Sequence, residues 1–183
     1  MSTGQQMLWE APTFPFTRYL ERHFEAILAE AKQLTVEDYA EWPQKEGYTG
    51  SWRTYVFYSR DPSWHLAGEC ANNAKRIPET ARIISRIKGV ERAAFSMMMP
   101  GTHIIPHNDG RNGVLDLLRC HLGIFTNPQS GMRVAGTTIH WGPGKCMVFD
   151  GQAEHEAANF GTEPRVVCIL DVDRESVDDV IPD

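Results

Sequence analysis

Apolar residues recur at helical spacing between Thr17 and Leu34, at Tyr19, Leu20, Phe24, Ile27, Leu28 and Ala31. This predicts a helix. Thr35-Val36-Glu37-Asp38 has the form of a capping box that opens a short second helix. Trp52 to Tyr58 reads as a strand, and Trp64 to Ala74 and Pro78 to Ile87 read as helices, the last with proline in its first turn. After Gly89 the pattern changes. Ala93 to Met99, Ile104 to His107, Leu115 to Phe125 and Met132 to Ala135 are short apolar or alternating runs. So are Thr137 to Trp141, Cys146 to Phe149, His155 to Asn159 and Val166 to Val172. Pro100-Gly101, Asn108-Asp109-Gly110, Asn127-Pro128, Gly142-Pro143-Gly144 and Asp150-Gly151 punctuate them. Short strands with strong turns at this spacing predict a sandwich or barrel.

The expected architecture is mainly β with N-terminal helices, a jelly roll forming one domain over residues 1–183. Residues 16–88 would supply a helical and strand support, 89–173 the β core and 174–183 an acidic tail. Composition agrees with a globular chain: 42% of residues are hydrophobic and 23% charged. A net charge of -6 argues against nucleic acid as the main partner. No apolar run approaches the ~18 residues of a membrane helix, and the first residues lack the basic start and apolar run of an export signal. The cysteines Cys70, Cys120, Cys146 and Cys168 form no C-x-x-C pair and read as buried thiols. The expected compartment is the cytoplasm.

Four of the seven histidines lie between residues 100 and 141. His107-Asn108-Asp109 puts an imidazole and a carboxylate two residues apart, on one face of an extended segment. His155 opens a later strand. Two histidines and a carboxylate on one side of a metal suit non-haem Fe(II) chemistry. The competing reading makes Asp109-Gly110 a plain turn and His107 a core residue. Arg165, on the strand after His155, adds weight: a guanidinium near such a metal suits the distal carboxylate of a dicarboxylate. Arg119 and His121 share a face of another strand and could meet the other end of the same molecule.

Phe95-Ser96 followed by Pro100-Gly101-Thr102 and His107 resembles the F-S-x-x-x-P-G-T-x-x-x-x-H block of the aspartyl/asparaginyl β-hydroxylase family. Arg119-Cys120-His121-Leu122-Gly123-Ile124 resembles its R-x-H-L-G block. Trp141-Gly142-Pro143-Gly144-Lys145, Phe149-Asp150, Glu154-His155-Glu156 and Pro78-Glu79-Thr80 resemble further blocks, in the family's order. The resemblance spans roughly residues 50–173. It implies a double-stranded β-helix, cupin-like in form, that uses Fe(II), 2-oxoglutarate and O2 to hydroxylate a C–H bond. By the same resemblance, His107 and His155 are iron ligands, and Ser96 and Arg165 hold the distal carboxylate of 2-oxoglutarate. Arg119 and His121 hold its other end or the substrate.

Two departures stand out. Asp109 occupies a place where the vertebrate-type members have glycine, so a full triad is available. The family's R-x-R reads Leu117-Leu118-Arg119, so its first arginine, which serves the substrate, is missing. The expected substrate is a small molecule or peptide bearing a carboxylate: an aspartyl- or asparaginyl-like residue, or a free or carrier-bound amino-acid derivative. Either the substrate's second group is less polar, or Arg111 or Arg133 reaches in from a loop in place of the lost arginine. The alternatives are a non-enzymatic cupin-like binding module or another metal enzyme on the same barrel. Of the remaining candidates, His103 faces either the pocket or the outside, and His140 faces solvent. Asp150 either fixes a turn or bonds a ligand histidine. Trp52, Tyr55 and Tyr58 read as core in preference to a substrate platform.

Overall fold

The computed structural model describes residues 6–10, 14–109 and 117–179. Its first half holds β1 (Leu8–Glu10), α1 (Pro15–Arg22), α2 (Phe24–Ala31), β2 (Ala40–Glu41), β3 (Tyr48–Thr49), β4 (Trp52–Ser59), α3 (Ala67–Arg76) and α4 (Pro78–Ser85). Then come β5 (Val90–Met98), β6 (Thr102–His107), β7 (Leu117–Phe125), β8 (Ser130–Val134), β9 (Thr137–Ile139), β10 (Cys146–Asp150), β11 (His155–Asn159) and β12 (Arg165–Asp173). A seven-stranded sheet runs β1-β10-β7-β12-β5-β4-β2, and a five-stranded sheet runs β3-β6-β11-β8-β9. The strand pairs are antiparallel.

Period-two alternation on the long strands builds two cores, one on each face of the large sheet. Val166, Cys168, Leu170 and Val172 of β12 join Leu118, Cys120 and Leu122 of β7 on the outer face. There they meet Phe16 and Leu20 of α1, Ile27 of α2 and Ile83 and Ile84 of α4. Val167 and Ile169 face the other way, into a core with Met98, Met132, Val134 and Phe149 between the sheets. The helices close one face of the large sheet; the small sheet closes the other except where the cleft opens.

The eight strands expected from the sequence are present. The helix expected from Thr17 is two helices, broken at His23, whose ring Nδ1 bonds the Tyr19 carbonyl at 2.9 Å. The capping box forms: the Thr35 amide donates to Asp38 at 2.7 Å, but it opens a single 3-10 turn, Val36–Asp38. Strands β1, β2 and β3 were not expected. At two or three residues they are too short to show alternation. Among the described residues no helix is long and apolar enough to cross a membrane.

One irregularity decides which side chains enter the barrel. His155 pairs with His107, but Ala157 pairs with Ile104, so β6 carries one extra residue in the stretch Ile105-Pro106. Pro106 has no N–H to give the ladder, and such bulges invert facing parity. His107 therefore shares the inner face with Ile104, and His103 turns outward. There His103 Nε2 bonds Glu156 at 2.8 Å, and Arg133 Nε bonds the same carboxylate at 2.6 Å. The pocket-facing reading of His103 fails for this reason.

Candidate active site

His107 ends β6, His155 begins β11, and their ring centroids are 4.3 Å apart. Asp109 follows His107 by two residues. Its carboxylate lies 4.0 Å from His107 Nε2 and 3.8 Å from His155 Nε2. One ligand atom from each of the three lies within 4.8 Å of the others. The tautomers are set by backbone carbonyls. His107 Nδ1 donates to Ile105 O at 2.7 Å and His155 Nδ1 to Ala153 O at 2.9 Å, which leaves both Nε2 lone pairs facing Asp109. Burial pushes the His155 pKa down, against the pull of Asp109, and keeps the imidazole neutral. This donor set fits a divalent cation of the first transition row.

Asp109 is seated by two contacts. Its amide donates to Gly151 O at 2.8 Å, and Arg119 Nη1 donates to its carboxylate at 2.9 Å. Arg119 is itself gripped by Asp171, with Nε at 2.7 Å and Nη2 at 3.1 Å from the two oxygens. Burial works against the Arg119 charge, but Asp109 and Asp171 hold its pKa above the usual range. Asp171 was not anticipated. Its signal was parity: Arg165, Val167, Ile169 and Asp171 alternate onto one face of β12.

Deeper in the barrel lies Arg165, 1% exposed. Nη1 reaches the Ser96 carbonyl at 3.4 Å, Nη2 touches the Met98 sulfur, and the guanidinium stacks 4.1 Å from the Trp141 ring. No carboxylate among the described residues pairs with it, and Nε has no partner. Burial alone pushes its pKa down to about 9. Beside it, His121 Nδ1 accepts from Trp141 Nε1 at 3.3 Å, so its proton sits on Nε2, which is buried and unpartnered. Burial, then the charges of Arg165 and Arg119, hold His121 neutral. Ser96 Oγ accepts from Trp52 Nε1 at 2.9 Å, leaving its own proton to donate. A buried cation without a counter-ion and an orphaned donor fit a carboxylate-bearing ligand.

Of the residues singled out in the sequence, Ser96, His107, Arg119, His121, His155 and Arg165 all line one inner cavity of ≈ 30 Å³. Asp109 and Arg119 also line an outer cleft of ≈ 820 Å³, as does Leu117. Arg133 lies on the outer face with Glu156 and does not reach the cleft; Arg111 lies outside the described residues. Asp150 does not bond a ligand histidine. It accepts from Gln152 N at 2.9 Å and Arg174 at 2.7 Å, fixing the turn before His155. His140 is exposed, and Tyr55 is core. Trp52, however, is half-buried and lines both cavities.

Two packed antiparallel sheets with the triad at one mouth define a double-stranded β-helix of the 2-oxoglutarate oxygenase and cupin kind. A prolyl-4-hydroxylase structure from Pseudomonas putida shares it, with a TM-score of 0.55, 16% identity, and 93% of this chain and 94% of that chain covered. The profile of the family described as Aspartyl/Asparaginyl beta-hydroxylase matches residues 21–175. The chain belongs to that family. It is 31% identical over 174 residues to an ornithine lipid ester-linked acyl 2-hydroxylase of Rhizobium tropici, covering 92% of this chain and 60% of the relative. It is 31% identical over 165 residues to the human aspartyl/asparaginyl beta-hydroxylase, covering 84% of this chain and 20% of the relative. The chain thus spans less than two thirds of either relative's length.

Proposed function

We propose that this protein is an Fe(II)- and 2-oxoglutarate-dependent hydroxylase of an unactivated C–H bond. The observation that carries this reading is the convergence of His107, Asp109 and His155 beside Arg165, a buried guanidinium with no carboxylate partner among the described residues. His107, Asp109 and His155 would hold the iron. Fe(II), 2-oxoglutarate and O2 together supply an oxidant able to break a C–H bond, and the products are the alcohol, succinate and CO2.

The chain's own side chains bind, orient and exclude water. Arg165 and Ser96 hold the distal carboxylate of 2-oxoglutarate, with Trp141 stacked under the guanidinium. The His121 Nε2 proton meets the other end. The inner cavity is water-sized as it stands, so a five-carbon dicarboxylate enters by moving side chains. Met98 is the first to yield, because its sulfur rests on the Arg165 nitrogen that a carboxylate would take; methionine adapts readily. Arg119 is committed to Asp109 and Asp171, and we assign it to seating the ligand carboxylate rather than to direct contact with the cosubstrate.

For substrate we favour a carboxylate-bearing small molecule or peptide, of the aspartyl- or asparaginyl-like or amino-acid-derivative class. Its C–H bond would face the triad from the outer cleft. Four unpaired, buried thiols fit a reducing compartment such as the cytoplasm. The test is succinate production from 2-oxoglutarate by purified protein with Fe(II) and ascorbate. Turnover that is lost on chelation and restored by Fe(II) supports the reading; turnover indifferent to metal contradicts it.

A further inference from the structure

The hydroxylase reading leaves open which residue takes the place of the arginine that Leu117 replaces. The cleft contains a candidate that sequence reasoning passed over. On the face of the large sheet that lines the cleft, Asp171 of β12 pairs with Arg119 of β7 on one side and with Arg92 of β5 on the other. The three form one row across adjacent strands. Both Asp171 oxygens go to Arg119. Arg92 instead swings over Trp64, its guanidinium carbon 5.2 Å from the ring centroid. It lines the cleft, and among the described residues no carboxylate is within ion-pair distance of it. Asp61, which also lines the cleft, feels the Arg92 charge but turns its oxygen to Ser63, at 2.8 Å from the amide and 2.6 Å from the hydroxyl.

Trp64 is also one end of a row of rings. It meets His65 edge-on at 5.6 Å, and His65 meets Trp42 at 6.3 Å. Trp42 stacks on Trp52 at 4.8 Å. Trp42, Trp52, Trp64 and His65 all line the cleft, and none is buried. The row therefore runs from Arg92 at the rim to the Trp52 indole that bonds Ser96 at the inner cavity. Thr54, Val56, Ala94 and Ile169 add small or apolar lining, while the acids that line the cleft from the same sheet are taken: Asp171 by Arg119 and Glu91 by Arg60. Half-exposed indoles in a concavity beside a cation without an acidic partner suit a ligand that is apolar along its length and anionic at one end.

We propose that Arg92 and this row of rings recognise the substrate: its carboxylate pairs with Arg92, and an apolar portion of several carbons lies along Trp42 and Trp52. This rests on the hydroxylase reading and specifies its substrate class. Arg92 and Arg119 stand two strand spacings apart, about 10 Å, so the reacting carbon is several bonds from the carboxylate.

The test is equilibrium binding by calorimetry without O2, on protein loaded with Mn(II) and 2-oxoglutarate and on unloaded protein. The probes are N-octanoylglycine, its methyl ester and N-acetylglycine. N-Octanoylglycine should bind about tenfold or more tightly than either of the others. Arg92→Met should remove the preference for acid over ester and keep the preference for the longer chain. Trp42→Ala should do the reverse; Trp42→Gln serves if Trp42→Ala fails to fold. Acid and ester binding alike, no gain with chain length, or an acid preference that survives Arg92→Met would overturn the proposal. The unloaded arm separates the two claims: failure to take up Mn(II) and 2-oxoglutarate defeats the hydroxylase reading, while the probe preferences judge Arg92 and the rings on their own.

Discussion

A Cβ on Gly151 would lie 2.5 Å from Asp109 Oδ2, while the Gly151 carbonyl accepts the Asp109 amide at 2.8 Å. The backbone that holds Asp109 thus has room for a side chain at its own position only if the Asp109 carboxylate moves away. Gly151→Ala should push the carboxylate off the two histidines and weaken Mn(II) binding by about tenfold or more, as loss of ligand support does. A Mn(II) titration followed by calorimetry reads this. Unchanged affinity would mean that the Asp109 carboxylate does not need this seat.

Asp171 acts on the same carboxylate through Arg119. With Asp171→Asn, Arg119 keeps its charge but loses its bidentate partner and competes harder for Asp109. Mn(II) affinity should fall by roughly 10- to 100-fold. The control is Asp171→Glu, which restores the charge and should recover part of the loss. If Asn and Glu behave alike, the charge at 171 is not what positions Arg119.

Arg165 should trade stability for binding. A buried guanidinium without a carboxylate destabilises the unliganded fold, and an apolar replacement of similar length relieves it. Arg165→Met should raise the melting temperature in the absence of ligand while raising the 2-oxoglutarate requirement tens-fold or more. Mn(II) stoichiometry should stay the same. A variant that melts lower and keeps cosubstrate affinity would make Arg165 a structural residue.

The β core was legible because β5, β7 and β12 are long enough for alternation to show. On β7 the parity of Arg119 and His121 was enough to send both inward. Parity failed at His103. The extra residue in Ile105-Pro106 lies within a run that otherwise alternates cleanly, and a bulge leaves no periodic trace. Asp171 and Arg92 were missed for another reason. Each is an ordinary charged residue until the register sets Asp171 between Arg92 and Arg119. Trp52 reads as core in preference to a substrate platform because alternation on its strand is imperfect, and only the short strand β2 and its neighbour Trp42 show it to be a cleft wall.

The turn at Thr35 carries a pH signature. Asp38 accepts from Arg76 at 2.5 Å and from the Thr35 amide at 2.7 Å, which lowers its pKa from 3.8 to about 2. Folding therefore favours the ionised carboxylate. Its contribution is complete above the unfolded value and is lost as pH falls from about 4 through 2. Allowing for solvent screening, this amounts to about 1 kcal/mol. Urea midpoints of wild type and Asp38→Asn at pH 6 and pH 2.5 should differ most at the higher pH, and the difference should shrink to about a third at the lower. A constant difference would assign the effect to something other than the charge.

The central claim is that His107, Asp109 and His155 form a metal triad with Arg165 as the cosubstrate anchor. The most direct measurement is a crystal structure of the protein grown without O2 in Mn(II) and 2-oxoglutarate, with the metal located by anomalous scattering. The expected result is one metal on His107 Nε2, His155 Nε2 and an Asp109 oxygen, with the distal carboxylate on Arg165 and Met98 turned away. A metal bound elsewhere, or the Asp109 carboxylate turned away from the metal with water in its place, would contradict this assignment.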